Sequence, residues 1–430
     1  MSGVQAANDS FDIAIVGGGM VGASLAVALQ GLDVRVALIE AVPHDAASQP
    51  SFDERTTALS NGSRRILETL GVWPAVAAAA TPIAKIHVSD QGHFGFARID
   101  AAEQGLRALG YVVANRALGA ALWSKLGDRD DMRVYCPAKV SRLTPGERSV
   151  ELGVLQASGV ESSIRAQLVI AADGVESAVR GAFGVSTDVR DYEQTAVITT
   201  VLPRKFHEHV AYERFTATGP LALLPLNDGR CTLVLALNRT LAESAMSWSD
   251  EEFLAEVQRR FGFRLGRFLK VGRRVPYPLA LTRAKRTSAG RCAIIGNAAQ
   301  GLHPVAGMGF NLGLRDVACL AELIAEHCCE QSGNPPLRDF GASALLSAYD
   351  AWRAADRNEI IAFTDGLVRL FGNPLGVVRR LRNVGLLAFD LLPPAKAALS
   401  SLSTGGAGRI PKLARGVVLG PTSHAAGAAT

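Results

Sequence analysis

Cysteine is scarce and unpaired in this sequence. Six stand at 136, 231, 292, 319, 328 and 329, with no Cys-x-x-Cys or Cys-x4-Cys spacing, and Cys328 and Cys329 are direct neighbours. That pattern offers no metal-ligand set and no dithiol redox pair; it reads as thiols mostly buried in a reducing cytosol, with no metal site. Basic residues are missing from the N-terminal stretch, which carries Asp9 and Asp12 but no Lys or Arg, so it does not read as a signal peptide. Uninterrupted apolar runs of membrane length are missing too. Ile13–Leu32 and Cys292–Leu314 are uncharged, but the first holds a glycine triplet, Ser24 and Gln30, and the second holds Asn297, Gln300, His303, Pro304 and Asn311. Such residues suit tight turns around a ligand and not a lipid-facing helix, so no transmembrane segment is expected. A large excess of one charge is also lacking: 45 Lys and Arg oppose 40 Asp and Glu, which gives no argument for nucleic-acid binding. The imbalance sits at one end, where residues 366–430 hold eight basic side chains and one acid, leaving the rest of the chain net −2.

What is present is a globular composition, 48% hydrophobic and 20% charged over 430 residues. That length suits roughly two or three domains. Phe11–Val16 is a short apolar run ending in glycines, Met20–Leu29 carries helical spacing, and Val34–Glu40 is β-branched; together they make a βαβ unit. Helices are expected at Asn61–Leu70, Ala114–Leu126 and Gly313–Glu326, with strands in Ile86–Ile99 and at Arg133–Cys136, Val150–Leu155, Gln167–Ala171 and Arg291–Gly296. Between Gln194 and Asn238 the pattern changes to successive strands, Thr195–Leu202, Ala211–Phe215, Leu221–Pro225 and Cys231–Leu237, the later ones separated by turn residues. The expected architecture is α/β. A Rossmann-like domain is assembled from residues 1–80, 111–182 and 280–365, an antiparallel-sheet substrate domain from 81–110 and 183–279, and a helical, basic region from 366–430.

Three blocks carry chemistry. Gly17-x-Gly19-x-x-Gly22 lies between strand and helix: the first glycine makes the turn, the second admits a pyrophosphate, and the third lets helix pack on strand. Glu40 ends the second strand, where an acid accepts from ribose hydroxyls and repels a 2′-phosphate, so the bound dinucleotide is FAD or NAD in preference to NADP. The second block runs from Leu168 through Asp173-Gly174 to Ser177 and Arg180. The third runs from Ala293 through Gly296-Asn297, His303-Pro304 and Gly307-Met308-Gly309-Phe310-Asn311 to Gly313, with glycines at a helix start making a nest of N–H groups for an anionic oxygen.

These blocks, with Phe52-Asp53-Glu54-Arg55, resemble the single-component flavin aromatic hydroxylases of the para-hydroxybenzoate hydroxylase type. The ubiquinone-biosynthesis branch, and within it the 2-polyprenyl-6-methoxyphenol hydroxylase type, is most similar through Ile86–His93, Tyr212–Thr216, Gly219–Pro225 and Gly296–Gln300. The resemblance runs from about Phe11 to Pro393. It implies that Gly17, Gly19, Gly22 and Glu40 hold the ADP half of FAD and that Arg55 lies near the flavin and its pyrophosphate. Asp173, Gly174, Ser177 and Arg180 would line a channel used by FAD and NAD(P)H. Gly296 and Asn297 would meet the ribityl-pyrophosphate region, and Pro304 with Gly307, Met308, Gly309, Phe310 and Asn311 would border the isoalloxazine ring. Gly296-Asn297 stands where the family pattern has Gly-Asp, and Met308 where it usually has Gln, so the expectation is FAD held without a charge-assisted bond at Asn297.

The implied activity is a monooxygenase in which FAD, reduced by NAD(P)H and charged with O2 as a C4a-hydroperoxide, hydroxylates a polyprenyl phenol. Pro304 and His303 are the candidate catalytic positions, His303 as a proton relay or only a turn residue; Tyr212, Phe215, Leu223 and Pro225 are the candidate substrate pocket. Other flavin chemistry on a prenyl lipid remains open, as reduction or halogenation, although Trp73, Trp123, Trp248 and Trp352 are isolated and make no Trp-x-Trp motif. A weakly FAD-binding scaffold in a ubiquinone-synthesis complex is the non-catalytic alternative. Leu375–Leu392 reads either as a helix packed on the core or as an interfacial helix facing anionic lipid, which places the protein in the cytoplasm with a peripheral membrane contact.

Overall fold

The computed structural model describes residues 9–46, 49, 55–93, 95–127, 129–303, 307–330, 338–372 and 409–420. Its first sheet is built on five parallel strands in the order Cys292–Ile294, Glu161–Ala171, Asp9–Val16, Val36–Ile39 and Met132–Tyr135. Both faces are covered, which is why Ile13, Ala14 and Ile15 are all buried and the strand reads as a continuous apolar run. The helices Met20–Ala28, Asn115–Leu126 and Met308–Glu330 cover one face. On the other, a meander of Ala138–Pro145 and Val150–Gln156 folds back onto Glu161–Ala171.

The second sheet is antiparallel along Gln300–Gly301, Val275–Ala284, Thr187–Pro203, Cys231–Asn238, Gly219–Pro225 and Val210–Thr216, where Lys85–Asp90 joins in parallel and Phe96–Asp100 closes the edge. One face packs on the helices Arg239–Ser247 and Asp250–Phe261 through Phe253, Val257 and Phe261. Ser249 and Glu252 form a reciprocal cap on the second helix, a Ser-x-x-Glu signal that the sequence reading passed over. Val275–Ala284 runs through the expected division at residue 280, and Gln300–Gly301 leaves the first domain's stretch of sequence to pair with it. Thr56–Ser60, Gly110–Ala114 and Thr81–Ile83 form a small third sheet.

The helix Ser343–Gly372 packs against Met308–Glu330 around a buried ionic centre. Arg353 donates to Asp316 at 2.8 Å with both side chains 2% exposed, and also reaches Asp356, which Arg315 pairs at 2.6 Å. Beyond it, residues 409–420 return to the first domain, with Leu413 and Leu419 in its core. Here Arg409 pairs with Glu322 and Glu326, Lys412 pairs with Glu326, and the Arg409 guanidinium lies 3.9 Å from the Trp352 ring centre. Part of the basic end is thus neutralised by docking. Leu375–Leu392 lies outside the described residues, among which no helix is long and apolar enough to cross a membrane.

Removing one partner of a buried pair strands the other charge. Arg353→Leu should therefore cost about 3–5 kcal/mol, read as a lowered urea midpoint. A loss under about 1 kcal/mol, the range of exposed pairs, would show the centre to be solvated.

Candidate active site

The carboxyl ends of the parallel strands supply the first wall. Gly17 follows Val16 with φ +104°, and a Cβ there would stand 2.4 Å from the Ala172 carbonyl oxygen. A Cβ on Gly22 would lie 1.8 Å from the Gly17 carbonyl oxygen, so helix and turn touch backbone to backbone. Glu40 closes the loop from the neighbouring strand. Its Oε2 accepts from Gly18 N at 2.5 Å, and its Oε1 accepts from Val42 N at 2.8 Å and Gln49 Nε2 at 3.3 Å. A carboxylate has about four acceptor sites, so capacity remains for a ribose hydroxyl.

The turn after Ala171 is held by its own side chains. The Asp173 carboxylate accepts from the Ser177 hydroxyl and from Val179 N, the latter at 3.1 Å. Arg180 donates to the carbonyls of Val175 at 3.0 Å and Ala298 at 2.8 Å, fastening the second block to the third. Asp316 secures the third block from behind: its Oδ2 accepts from Gly296 N at 3.0 Å and Gln300 Nε2 at 2.8 Å. Asn297, the next residue, is exposed and borders the cavity.

These walls open into one cavity of about 2200 Å³, bordered by Gly17, Gly19, Glu40, Arg55, Asp173, Gly174 and Arg180 at the strand ends, and by Asn297, His303 and Gly307–Phe310. The start of Met308–Glu330 adds the positive end of a long helix dipole. Arg55 lies over the Tyr277 ring at 5.4 Å. Gly22 and Gly296 shape the walls without bordering the cavity. Asn311 is also behind the wall. Its oxygen accepts from Ser60 N at 2.8 Å, and its amide donates to the carbonyls of Ala58 and Gly307, each at 2.8 Å, so it clamps strand Thr56–Ser60 to the helix start. Pro304 and Phe52-Asp53-Glu54 lie outside the described residues.

The far end is apolar and is floored by the antiparallel sheet. Tyr212 and Phe215 border it, but Leu223 and Pro225 do not. Leu223 and its cross-strand partner Tyr212 both belong to the core beneath the sheet, although Tyr212 also reaches the cavity; by strand alternation Ala222 and Leu224, which the sequence reading did not single out, face the cavity. Ile198 and Val234 continue that face.

The residues fit a flavin dinucleotide: a glycine turn open enough for pyrophosphate, an acid with spare acceptor capacity at the ribose position, and a helix start at the other wall. Comparison with known proteins agrees. A family model described as FAD binding domain matches residues 10–363. The ubiquinone hydroxylase UbiL of Rhodospirillum rubrum is 37% identical over 95% of this chain and 93% of its own. The 3-demethoxyubiquinol 3-hydroxylase of Escherichia coli is 33% identical over 89% of this chain and 95% of its own. In fold, the p-nitrophenol 4-monooxygenase PnpA from Pseudomonas putida DLL-E4 superposes with a TM-score of 0.73 at 20% identity, covering 91% of this chain and 97% of that one.

Two outcomes follow from this geometry. Asn297→Asp supplies the charge-assisted acceptor that the amide lacks, worth about 1 kcal/mol, so FAD should bind about fivefold tighter in a fluorescence titration. Burial pushes the His303 imidazole from 6.5 down to about 4. The unfolded chain therefore binds this proton at a higher pH than the folded one, and stability is lost as pH falls through that window. Between pH 7 and pH 5 the loss should be about 2 kcal/mol in urea unfolding, and His303→Gln should remove that share of the slope.

Proposed function

This chain belongs to the FAD-binding-domain family, and on that premise we propose that it is a monooxygenase hydroxylating the aromatic ring of a polyprenyl phenol in ubiquinone biosynthesis. One observation carries the reading: the dinucleotide cleft and a large apolar chamber are a single continuous cavity. A cofactor ring held at the junction faces a space suited to a greasy aromatic.

FAD, reduced by NAD(P)H and supplied with O2, brings the redox and oxygen-activating chemistry. The chain binds and orients. Gly17, Gly19 and Glu40 hold the adenosine side, Asn297 meets the ribityl side, and Gly307–Phe310 face the ring with the helix dipole behind them. Asp173, Ser177 and Arg180 act by fixing the turns that border the cofactor. His303, buried and depressed in basicity, stands neutral, its ring edge-to-face with Tyr192 at 5.2 Å. The apolar sheet excludes water from the reacting ring.

The reading extends to where the substrate resides. A polyprenyl phenol partitions into membranes, and residues 373–408, with basic Arg379, Arg380, Arg382 and Lys396, suit an anionic lipid surface. Membership of a ubiquinone-biosynthesis complex on that surface belongs to the same proposal.

The test uses the FAD-loaded protein with a short-chain 2-methoxy-6-prenylphenol. NAD(P)H oxidation should yield one hydroxylated product per turnover, and faster from anionic than from neutral vesicles. Tight flavin binding with no hydroxylated product, in vesicles or in detergent, would reject the function; equal rates in both vesicle types would reject the surface contact.

A further inference from the structure

The apolar floor holds one charge-capable side chain that nothing above uses. Glu213 lies mid-strand in Val210–Thr216, paired across to Val88 on one side and Ala222 on the other, with Val234 and Ile198 continuing the row. All of these border the cavity. Among the described residues Glu213 has no hydrogen-bond or ion-pair partner, although its neighbour Arg214 on the opposite face bonds to the Arg260 carbonyl and to Ser89. An isolated carboxyl in an apolar wall costs stability unless a ligand completes it.

We propose that Glu213 is the proton acceptor for the phenol hydroxyl of the substrate, placed on the sheet floor so that the ring hydroxyl meets it and the polyprenyl chain lies along the apolar row. This rests on the functional reading above. The phenol O–H bond breaks and its proton passes to a Glu213 carboxylate oxygen. The electron pair left behind is delivered through the ring, and a ring carbon forms a new bond to one oxygen atom drawn from O2 as the O–O bond breaks. The hydrogen on that carbon leaves as a proton that passes to the second oxygen of O2, the ring regains aromaticity, and Glu213 returns its proton to the phenolic oxygen. NAD(P)H supplies the electrons that reduce the second oxygen atom to water.

Desolvation favours this role. Burial raises the Glu213 carboxyl to about 7, the range in which a base is both available and strong enough to act. On its own face of the sheet the charged neighbour is Asp90, opposite Phe215; the flanking strands Gly219–Pro225 and Phe96–Asp100 present Ala222, Leu224, Ala97 and Ile99. The small sheet packed there offers Ile83, Val112 and Ala58, none titratable. Below about 7 the carboxyl is protonated and cannot accept, so kcat/KM should fall on the acid side.

Glu213→Gln keeps shape and loses basicity. In the FAD-loaded protein, with flavin absorbance confirming an intact cofactor site, it should lower kcat/KM for the prenyl phenol by about a hundredfold and abolish the acid limb. Glu213→Asp should recover part of the rate and the limb. Ring-fluorinated phenols, more acidic and partly ionised without help, should shrink the Glu213→Gln defect. Wild-type protein that hydroxylates while Glu213→Gln matches it within about threefold on the same pH profile overturns this assignment alone. A defect that stays constant across phenol acidities overturns it too, marking Glu213 as structural. Wild-type protein with no activity on the phenol overturns the functional reading and this assignment together.

Discussion

The structure turns on the absence of two side chains. Helix Met20–Ala28 can reach the first turn only because Gly22 lets its backbone meet the Gly17 carbonyl, and Gly17 can turn only by resting against the Ala172 carbonyl at the end of the adjacent strand. Three distant stretches of chain are thereby brought to one edge. Any Cβ at these points would collide with a neighbouring carbonyl and push helix, turn and strand apart. Glu40 converts that contact into a fixed loop by holding the Gly18 amide.

The remaining turns are braced by polar groups that bond to backbone, Asp316 and Asn311 from behind the wall and Arg180 at its border. Asp316 is the clearest case: it holds the Gly296 amide and Gln300 with one oxygen and Arg353 with the other. Its position links the third glycine turn to helix Ser343–Gly372, so the packing of two long helices sets the shape of the cleft. Asn311 and Arg180 work in the same way, through backbone carbonyls and amides of neighbouring segments. Such side chains hold the turns of the site in place through their own hydrogen bonds.

The second sheet solves the opposite problem. Its helix-covered face is an ordinary core, and its other face is left without a protein layer over much of its width. A strand cannot hide that asymmetry: each residue facing the core is followed by one facing the cavity. Glu213 occupies one of those cavity-facing positions between Val88 and Ala222, and its raised basicity is the consequence of that placement.

Local chemistry made much of this readable. Gly17, Gly19, Gly22 and Glu40 announced a dinucleotide cleft because their spacing is dictated by the turn and helix that carry them, and the buried strands announced themselves as apolar runs. Leu223 and Pro225 misled because a run such as Gly219–Pro225 is apolar on both faces, so the phase of its alternation is invisible without its partners. Asn311 was ambiguous, because an amide at a helix start suits a ligand as well as it suits Ser60 and Ala58. Asp316 with Arg353, and Arg409 with Glu322, gave no local sign, since their partners are remote in sequence. The chain by itself determined the fold class, the cofactor cleft and the kind of chemistry, all encoded in contiguous motifs. Only the tertiary structure decided which side chains enter the cavity and which brace it from behind, because facing and pairing are properties of long-range register, which no single stretch of residues contains.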